Sequence, residues 1–271
     1  MRSREFQHYS RIEFAYDQGY GPRVLVVTIS GNNPVNGVDE AMHEELARVF
    51  TDCQRDPDSD LIVLTGKGRV FCAGGDLDWF DEQISNPASF RAIAPDAKRI
   101  VLSLLELEKP IICRLNGAAA GLGATIALMC DVIIAEDTAK IGDPHVKVGL
   151  VAGDGGAVIW PALIGVARAK EMLLTGDLIS GAEAARIGLV NYAVPSDQLD
   201  SKVAEMAGKI LGNPRWAVRW TKVVMNQQLR QAANLTMDAA VAYETLSNMA
   251  KDRAEAVAAF KEKRKMNLTG E

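Results

Sequence analysis

The chain has 271 residues, 48% hydrophobic and 24% charged, with a formal net charge of −5. That charge argues against a nucleic-acid backbone as the main partner, because phosphate binding needs a basic surface. The length allows one large domain, or a domain with a helical appendage. The first ten residues, "MRSREFQHYS", carry charges with no apolar run behind them, so they do not read as a secretory signal. "RVLVVTIS" (23–30), "DLIVLTG" (60–66), "PIICRLNG" (110–117) and "DVIIAED" (131–137) are short, rich in Val and Ile, and bounded by Gly or charge, which predicts buried strands. Between the first two, "DEAMHEELARVFTDCQRD" spaces Met42, Leu46, Val49 and Phe50 as a helix does, with Asp39 placed to cap its start. "SFRAIAPDAKRIVLSLLELE" predicts another helix, open to interruption at Pro95. Strands alternating with helices give an α/β architecture. Beyond Pro195 four helical segments follow, so the boundaries read as an α/β core over 1–195 and a helical region over 196–271.

Cys53, Cys72, Cys113 and Cys130 lack C-x-x-C spacing and mostly sit in apolar surroundings. They read as buried, reduced thiols of a cytoplasmic protein. The most apolar run, Leu115 to Cys130, is interrupted by glycine and stops at Asp131, too short for a membrane span.

Two loops share one design. "GKGRVFCAGGDLDWF" (66–80) follows one predicted strand and "NGAAAGLGATIALMC" (116–130) follows another. Each runs through small residues into a predicted helix, where glycine allows a sharp turn and close approach to backbone N–H groups. The helix start adds unpaired donors and a partial positive charge. Two such loops aimed at one point would form an oxyanion hole; each alone could equally serve only to close its turn. Neither fits a P-loop or a dinucleotide fingerprint.

"IGDPHVKVGLVAGDGGAVIWP" (141–161) holds one of the chain's three histidines, His145, and nine residues on Asp154 among glycines. Neutral imidazole exchanges protons near pH 7 without a large shift. An aspartate bonded to it would orient the ring, while a predicted helix start at 155–165 would help keep Asp154 ionised. A histidine after proline and an Asp in a G-D-G turn also occur with no catalytic role. His8 and His43, in the N-terminal tail and on a polar helix face, read as solvated, and three scattered histidines predict no metal site. Trp79 and Phe80 could flank a pocket or belong to the core, and Lys261, Lys263, Arg264 and Lys265 give the last helix a basic end.

"FCAGGDL", "NGAAAGLGATIALMCDVIIAED" and "EMLLTGDLISGAEAARIGLVNYAVP" resemble, in the same order, three motifs of the crotonase (enoyl-CoA hydratase/isomerase) superfamily, and the similarity spans roughly 12–260. The resemblance implies a spiral of ββα turns, a helical C-terminal region that trimerises, and a homotrimer or dimer of trimers. It implies acyl-CoA thioesters as substrates, with coenzyme A as part of the substrate and no separate cofactor. By position, the oxyanion donors would be the N–H groups of Gly75 and Leu122, with Ala73 and Leu77 along the CoA moiety and Val35 near its adenine. The basic helix end can reach the CoA phosphates of a neighbouring subunit in this family. Leu122 replaces a usual glycine. Hydratases of the family carry two glutamates, one of them in a Q-P-E turn; here Thr125 and His145 stand at those places, which puts two-glutamate hydration in doubt. Asp154 stands where dienoyl-CoA isomerases carry a catalytic aspartate. The His145/Asp154 pair also resembles the β-diketone hydrolases of the oxocamphor hydrolase type, which cleave C–C bonds without CoA. That branch has a further histidine where this chain has Leu122, and it loses the A-G-x-D loop that "CAGGD" keeps. The expected function is an acyl-CoA enzyme of the hydratase/isomerase type using His145 and Asp154. The alternatives are a CoA-independent β-diketone hydrolase and a non-catalytic acyl-CoA-binding trimer.

Overall fold

The computed structural model describes residues 6–16 and 19–271; residues 1–5 of the N-terminal stretch read above lie outside them. In chain order the elements are β1 (Ile12–Tyr16), β2 (Val24–Ile29), α1 (Glu40–Arg55), β3 (Leu61–Gly66), α2 (Leu77–Ser85), α3 (Pro87–Glu106), β4 (Ile111–Leu115), β5 (Ala119–Ala120) and α4 (Leu122–Leu128). There follow β6 (Val132–Glu136), β7 (Lys140–Gly142), a 3₁₀ turn (His145–Val148), α5 (Gly156–Ile164), α6 (Val166–Thr175), β8 (Leu178–Ser180), α7 (Gly181–Arg186) and β9 (Tyr192–Val194). The chain ends in α8 (Leu199–Leu211), α9 (Arg215–Asn248) and α10 (Lys251–Glu262).

The four predicted strands are β2, β3, β4 and β6, adjacent in one six-stranded sheet of order β1-β2-β3-β4-β6-β9. β2 pairs with β3 in parallel register, Val24 against Leu61 through Ile29 against Gly66, and only β1 runs antiparallel. β3 is buried along its whole length, as a strand covered on both faces must be. A second sheet, β5-β7-β8, continues through single bridges, Cys72 to Ala119 and Val38 to Gly75. A turn of the chain thus adds one long strand, one short pairing and a helix, which is the ββα spiral. The short pairings lie just after the long strands, where the glycine-rich loops begin.

Side-chain bonds explain several loop residues. Asn116, within the N-G of the second loop, accepts from Thr65 Oγ1 and Gly66 N, each at 3.0 Å, and donates to the carbonyls of Gly66 and Gly68. Asp39 caps α1 as expected, accepting from Met42 N at 2.9 Å. All four cysteines are buried, and none forms a disulfide.

Two expectations change. α3 runs unbroken through Pro95, because Pro95 and Arg91, whose carbonyl loses its helical donor, both face water. The four C-terminal segments become three helices, since 215–248 is one helix carrying Ala233, Met237, Ala240 and Glu244 along its buried side. Their spacing continues across Asn234, a residue type that favours helix starts, so packing on α3 and α5 overrides the local preference. The main core includes Ala233 and Met237 of α9, while Leu199, Val203 and Ala207 of α8 pack on the outer face of the sheet. Among the described residues no helix is long and apolar enough to cross a membrane.

Candidate active site

The two glycine-rich loops lie side by side. Ala120 N donates to Cys72 O at 3.0 Å, and a Cβ on Gly74 would sit 2.9 Å from Ala120 O. Gly121 adopts φ 54° and ψ −126°, a conformation closed to other residues, and its α-carbon faces the ring of His145. Gly75 and Leu122 both line the cavity at this junction. Among the described residues neither backbone N–H has a protein acceptor; that of Leu122 is free because it opens α4. A Cβ on Gly75 would fall 2.3 Å from Cε1 of Phe80, so the aromatic wall depends on glycine there.

The cavity has a volume of about 60 Å³. Its walls are mainly apolar, including Val38, Trp79, Phe80, Phe90, Ile93 and Leu150. Trp79 and Phe80 therefore flank the cavity, on α2. His145 enters from the 3₁₀ turn after β7, Asp154 from the turn before α5, and Glu244 from α9. Nδ1 of His145 is hydrogen-bonded to Asp143 Oδ1, and Nε2 lies 3.3 Å from Asp154 Oδ2 and 3.9 Å from Glu244 Oε1. Thr125, fully buried on α4, donates from Oγ1 to Asp154 Oδ1 at 3.2 Å. Thr125 thus holds the aspartate that approaches His145.

These contacts set the charges. Burial alone would push the His145 pKa down, but the charges of Asp143 and Asp154 and bonds to both hold it well above its ordinary 6.5. Burial works to raise the Asp154 pKa, yet His145 and the Thr125 hydroxyl outweigh it and keep the carboxylate below its ordinary range. Glu244 goes the other way: burial, with the charges of Asp154 and Asp143, outweighs His145 and Arg253 and lifts it to about 8. Near neutral pH the cavity therefore holds an imidazolium, an ionised Asp154 and a protonated Glu244, an acid beside a base.

Sequence reasoning missed Asp143 and Glu244. Asp143 stands two residues before His145 in "DPH", within reach of the ring. Glu244 falls on the same buried stripe as Met237 and Ala240, where a carboxylate is out of place. His43 corrects an expectation: it is 4% exposed and lines the cavity, because it follows Met42 on the inward side of α1. His8 is exposed, as expected.

Val35 and Ala73 are exposed and adjoin, Ala73 N donating to Val35 O at 3.1 Å, while Leu77 is half-buried at the start of α2. They form a strip along the first glycine-rich loop, outside the cavity. The basic end of α10 is engaged within the chain, Lys261 with Asp78 and Asp81, and Arg264 with Glu255 and Glu262. Ligand atoms of Asp143, His145 and Asp154 lie within 4.8 Å of one another, close enough to recruit a metal. The two carboxylates, however, sit on opposite nitrogens of one ring, so the imidazole stands between them instead of all three converging on an ion.

An enoyl-CoA hydratase/isomerase family model matches residues 21–271. A crotonyl-CoA hydratase of Syntrophomonas wolfei is 33% identical over 248 residues, covering 91% of this chain and 94% of its own. A solved enoyl-CoA hydratase/isomerase from Mycobacterium paratuberculosis superposes with a TM-score of 0.86 at 34% identity, over 93% of this chain and 99% of that one. A β-diketone hydrolase from the cyanobacterium Anabaena, solved with (S)-3-oxocyclohexyl acetic acid, superposes with a TM-score of 0.82 at 27% identity, over 91% and 97% of the chains. The sheet order, the paired glycine loops and these matches agree: the chain belongs to the enoyl-CoA hydratase/isomerase family and is an enzyme of that family.

Proposed function

We propose that the protein processes an acyl-CoA thioester through an enolate, with Gly75 and Leu122 as its oxyanion donors and His145 and Asp154 as its proton-handling groups. The observation that carries this reading is one small cavity lined by Gly75 and Leu122, whose backbone N–H groups have no protein acceptor among the described residues, and by His145 with Asp154 and Glu244 at 3.3 and 3.9 Å from its Nε2. On an unsaturated thioester, Asp154 takes a proton from water as the oxygen bonds to C3. The C2–C3 π pair moves through the carbonyl carbon to the thioester oxygen, where the N–H groups of Gly75 and Leu122 hold the negative charge. Re-formation of the carbonyl returns the pair to C2, which takes the proton of Glu244; His145, whose Nε2 lies 3.3 Å from Asp154 and 3.9 Å from Glu244, then passes its proton to Glu244 and takes the one on Asp154, which restores the starting state. Double-bond migration uses the same donors, with Asp154 removing a carbon-bound proton instead. Ala73, Leu77 and Val35 would lie along the coenzyme A moiety. Assembly as a homotrimer or dimer of trimers belongs to the same proposal, supported by Trp216, Trp220 and Val224, which form an exposed apolar stripe on α9.

Acetoacetyl-CoA, a 1,3-dicarbonyl thioester, tests this directly. Saturable binding with an enhanced enolate absorbance is the expected result, together with at least a hundredfold loss of turnover in His145→Ala and Asp154→Asn. Near-normal turnover in both folded variants would overturn the assignment. A second reading, a β-diketone hydrolase acting without CoA, draws support from the groove beside the first loop. Asp39, Glu40, Asp76, Asp78 and Glu82 gather there, a poor surface for a polyanionic handle. No binding of acetoacetyl-CoA combined with hydrolysis of free cyclic diketones would favour it.

A further inference from the structure

Two polar side chains in the cavity do nothing in the chemistry above. His43, on α1, is 4% exposed, and Gln83, on α2, is 2% exposed. Both line the cavity. Nδ1 of His43 and Oε1 of Gln83 are fully buried without a hydrogen-bond partner, and among the described residues no hydrogen bond engages either side chain, since the bond from Asn248 Nδ2 goes to the Gln83 backbone carbonyl. An unpaired buried polar group is costly, and this cavity's lining carries two. Hydrocarbon would serve better if the acyl group were hydrocarbon, as Val38, Phe90 and Ile93 show on the neighbouring wall.

With Nδ1 sealed off, Nε2 is the atom through which His43 can meet a ligand, and the amide of Gln83 offers either of its ends by rotation. From this placement we infer that the acyl group carries a neutral oxygen, a ketone or hydroxyl, away from the thioester carbonyl, and that His43 and Gln83 recognise it. This deepens the reading of the site given above and rests on it. The chemistry of the wall selects the class. His43 is neutral at pH 7, since burial lowers its pKa to about 4 against the pull of Asp96 and Asp154. Its ring packs against Trp79 with centroids 5.6 Å apart, which fixes its direction. A carboxylate would face ionised Asp154, while the His145 ring is already engaged by Asp143 and Asp154 and no Lys or Arg is among the lining residues. An ammonium would be stripped of water against an apolar wall. A carbonyl can accept from both side chains, and a hydroxyl can both donate and accept.

The test compares pentanoyl-CoA with 4-oxopentanoyl-CoA, which differ by one distal carbonyl, by calorimetric titration of the wild type, His43→Phe and Gln83→Leu, with folding followed by circular dichroism. The wild type should bind the oxo ligand at least tenfold more tightly, and each variant should reduce that ratio below threefold. A structural role for either residue would weaken both ligands alike and leave the ratio unchanged, which overturns the inference. So does a wild-type ratio near one. If neither thioester binds, the CoA reading fails, and the same comparison is made with 2,2-dimethylcyclohexane-1,3-dione, a diketone with no acidic hydrogen between its carbonyls and therefore neutral at pH 7. Binding lost in His43→Phe would then uphold recognition of a neutral oxygen without CoA. Binding that is absent, or equal in wild type and variant, would overturn it.

Discussion

Glu244→Gln probes the charge of the cluster while keeping its shape. The side chain is buried at 3.9 Å from His145 Nε2, and folding raises its pKa from the ordinary 4.5 to about 8, first through burial. A carboxyl with a raised folded pKa binds its proton more tightly in the folded chain. Its contribution to stability is complete below the unfolded value and lost as pH rises through the folded one. At about 1.4 kcal/mol per pH unit, the buried carboxyl makes the wild type less stable than an uncharged isostere by about 1 kcal/mol at pH 5, about 3 at pH 7 and about 5 at pH 9. Urea denaturation of both chains at these three pH values, extrapolated linearly to water, reads the difference. Glutamine should stabilise the chain by an amount that grows with pH, while turnover falls at least a hundredfold because the amide has no proton to release. An advantage that stays constant from pH 5 to pH 9 would refute the protonated state assigned to Glu244.

Thr125→Val keeps the shape of a fully buried side chain and removes the hydroxyl that bonds to Asp154 at 3.2 Å. Losing a donor to a buried carboxylate should cost about 1.5–3 kcal/mol in urea at pH 7. The cost should shrink on acidification, because a depressed Asp154 pKa stabilises the fold above the unfolded value and is lost as pH falls through the folded one. Gly75→Ala places a Cβ 2.3 Å from Phe80, so activity should fall at least tenfold and recover in Gly75→Ala/Phe80→Leu; steady-state rates of the single and double variants check this.

The strands were legible because β-branched runs and their boundaries carry the signal of a parallel sheet buried on both faces. Asp39 and the glycine loops were legible because caps and turns depend on neighbours in sequence. His145 and Asp154 could be singled out because the resemblance places both at catalytic positions; a Pro-His turn and a G-D-G turn alone left their role open. What escaped was set by distance in the fold. Nothing near Glu244 in sequence indicates that α9 brings it across α5 to His145, and its only trace is a carboxylate on an apolar stripe. His43 was misread for a related reason: it stands beside Met42, and only the packing of α1 against α3 decides which side of the helix faces inward. The helix running through Pro95 shows the same limit, since a local breaker yields where its lost hydrogen bond faces water.

The resemblance to hydratases invites the reverse substitution, a glutamate in place of His145, and the cluster predicts that it fails. His145 is the cation between Asp143 and Asp154, with Nε2 3.3 Å from one carboxylate and 3.9 Å from Glu244. At an effective dielectric of about 20, unit charges at such distances attract or repel by about 4–5 kcal/mol. His145→Glu turns attraction into repulsion against Asp154, so the new carboxyl would hold a proton and could not act as a base near neutral pH. The variant should show no gain in crotonyl-CoA hydration, and its stability should fall by more than about 3 kcal/mol between pH 5 and pH 8 as the acids ionise together. A stable, hydrating His145→Glu chain would mean that the residues act independently. Their contacts argue otherwise: Thr125 bonds to Asp154, Asp154 faces His145, and Asp143 holds the ring. Restoring the glutamate arrangement would therefore require changing Thr125, Asp143, His145 and Asp154 together.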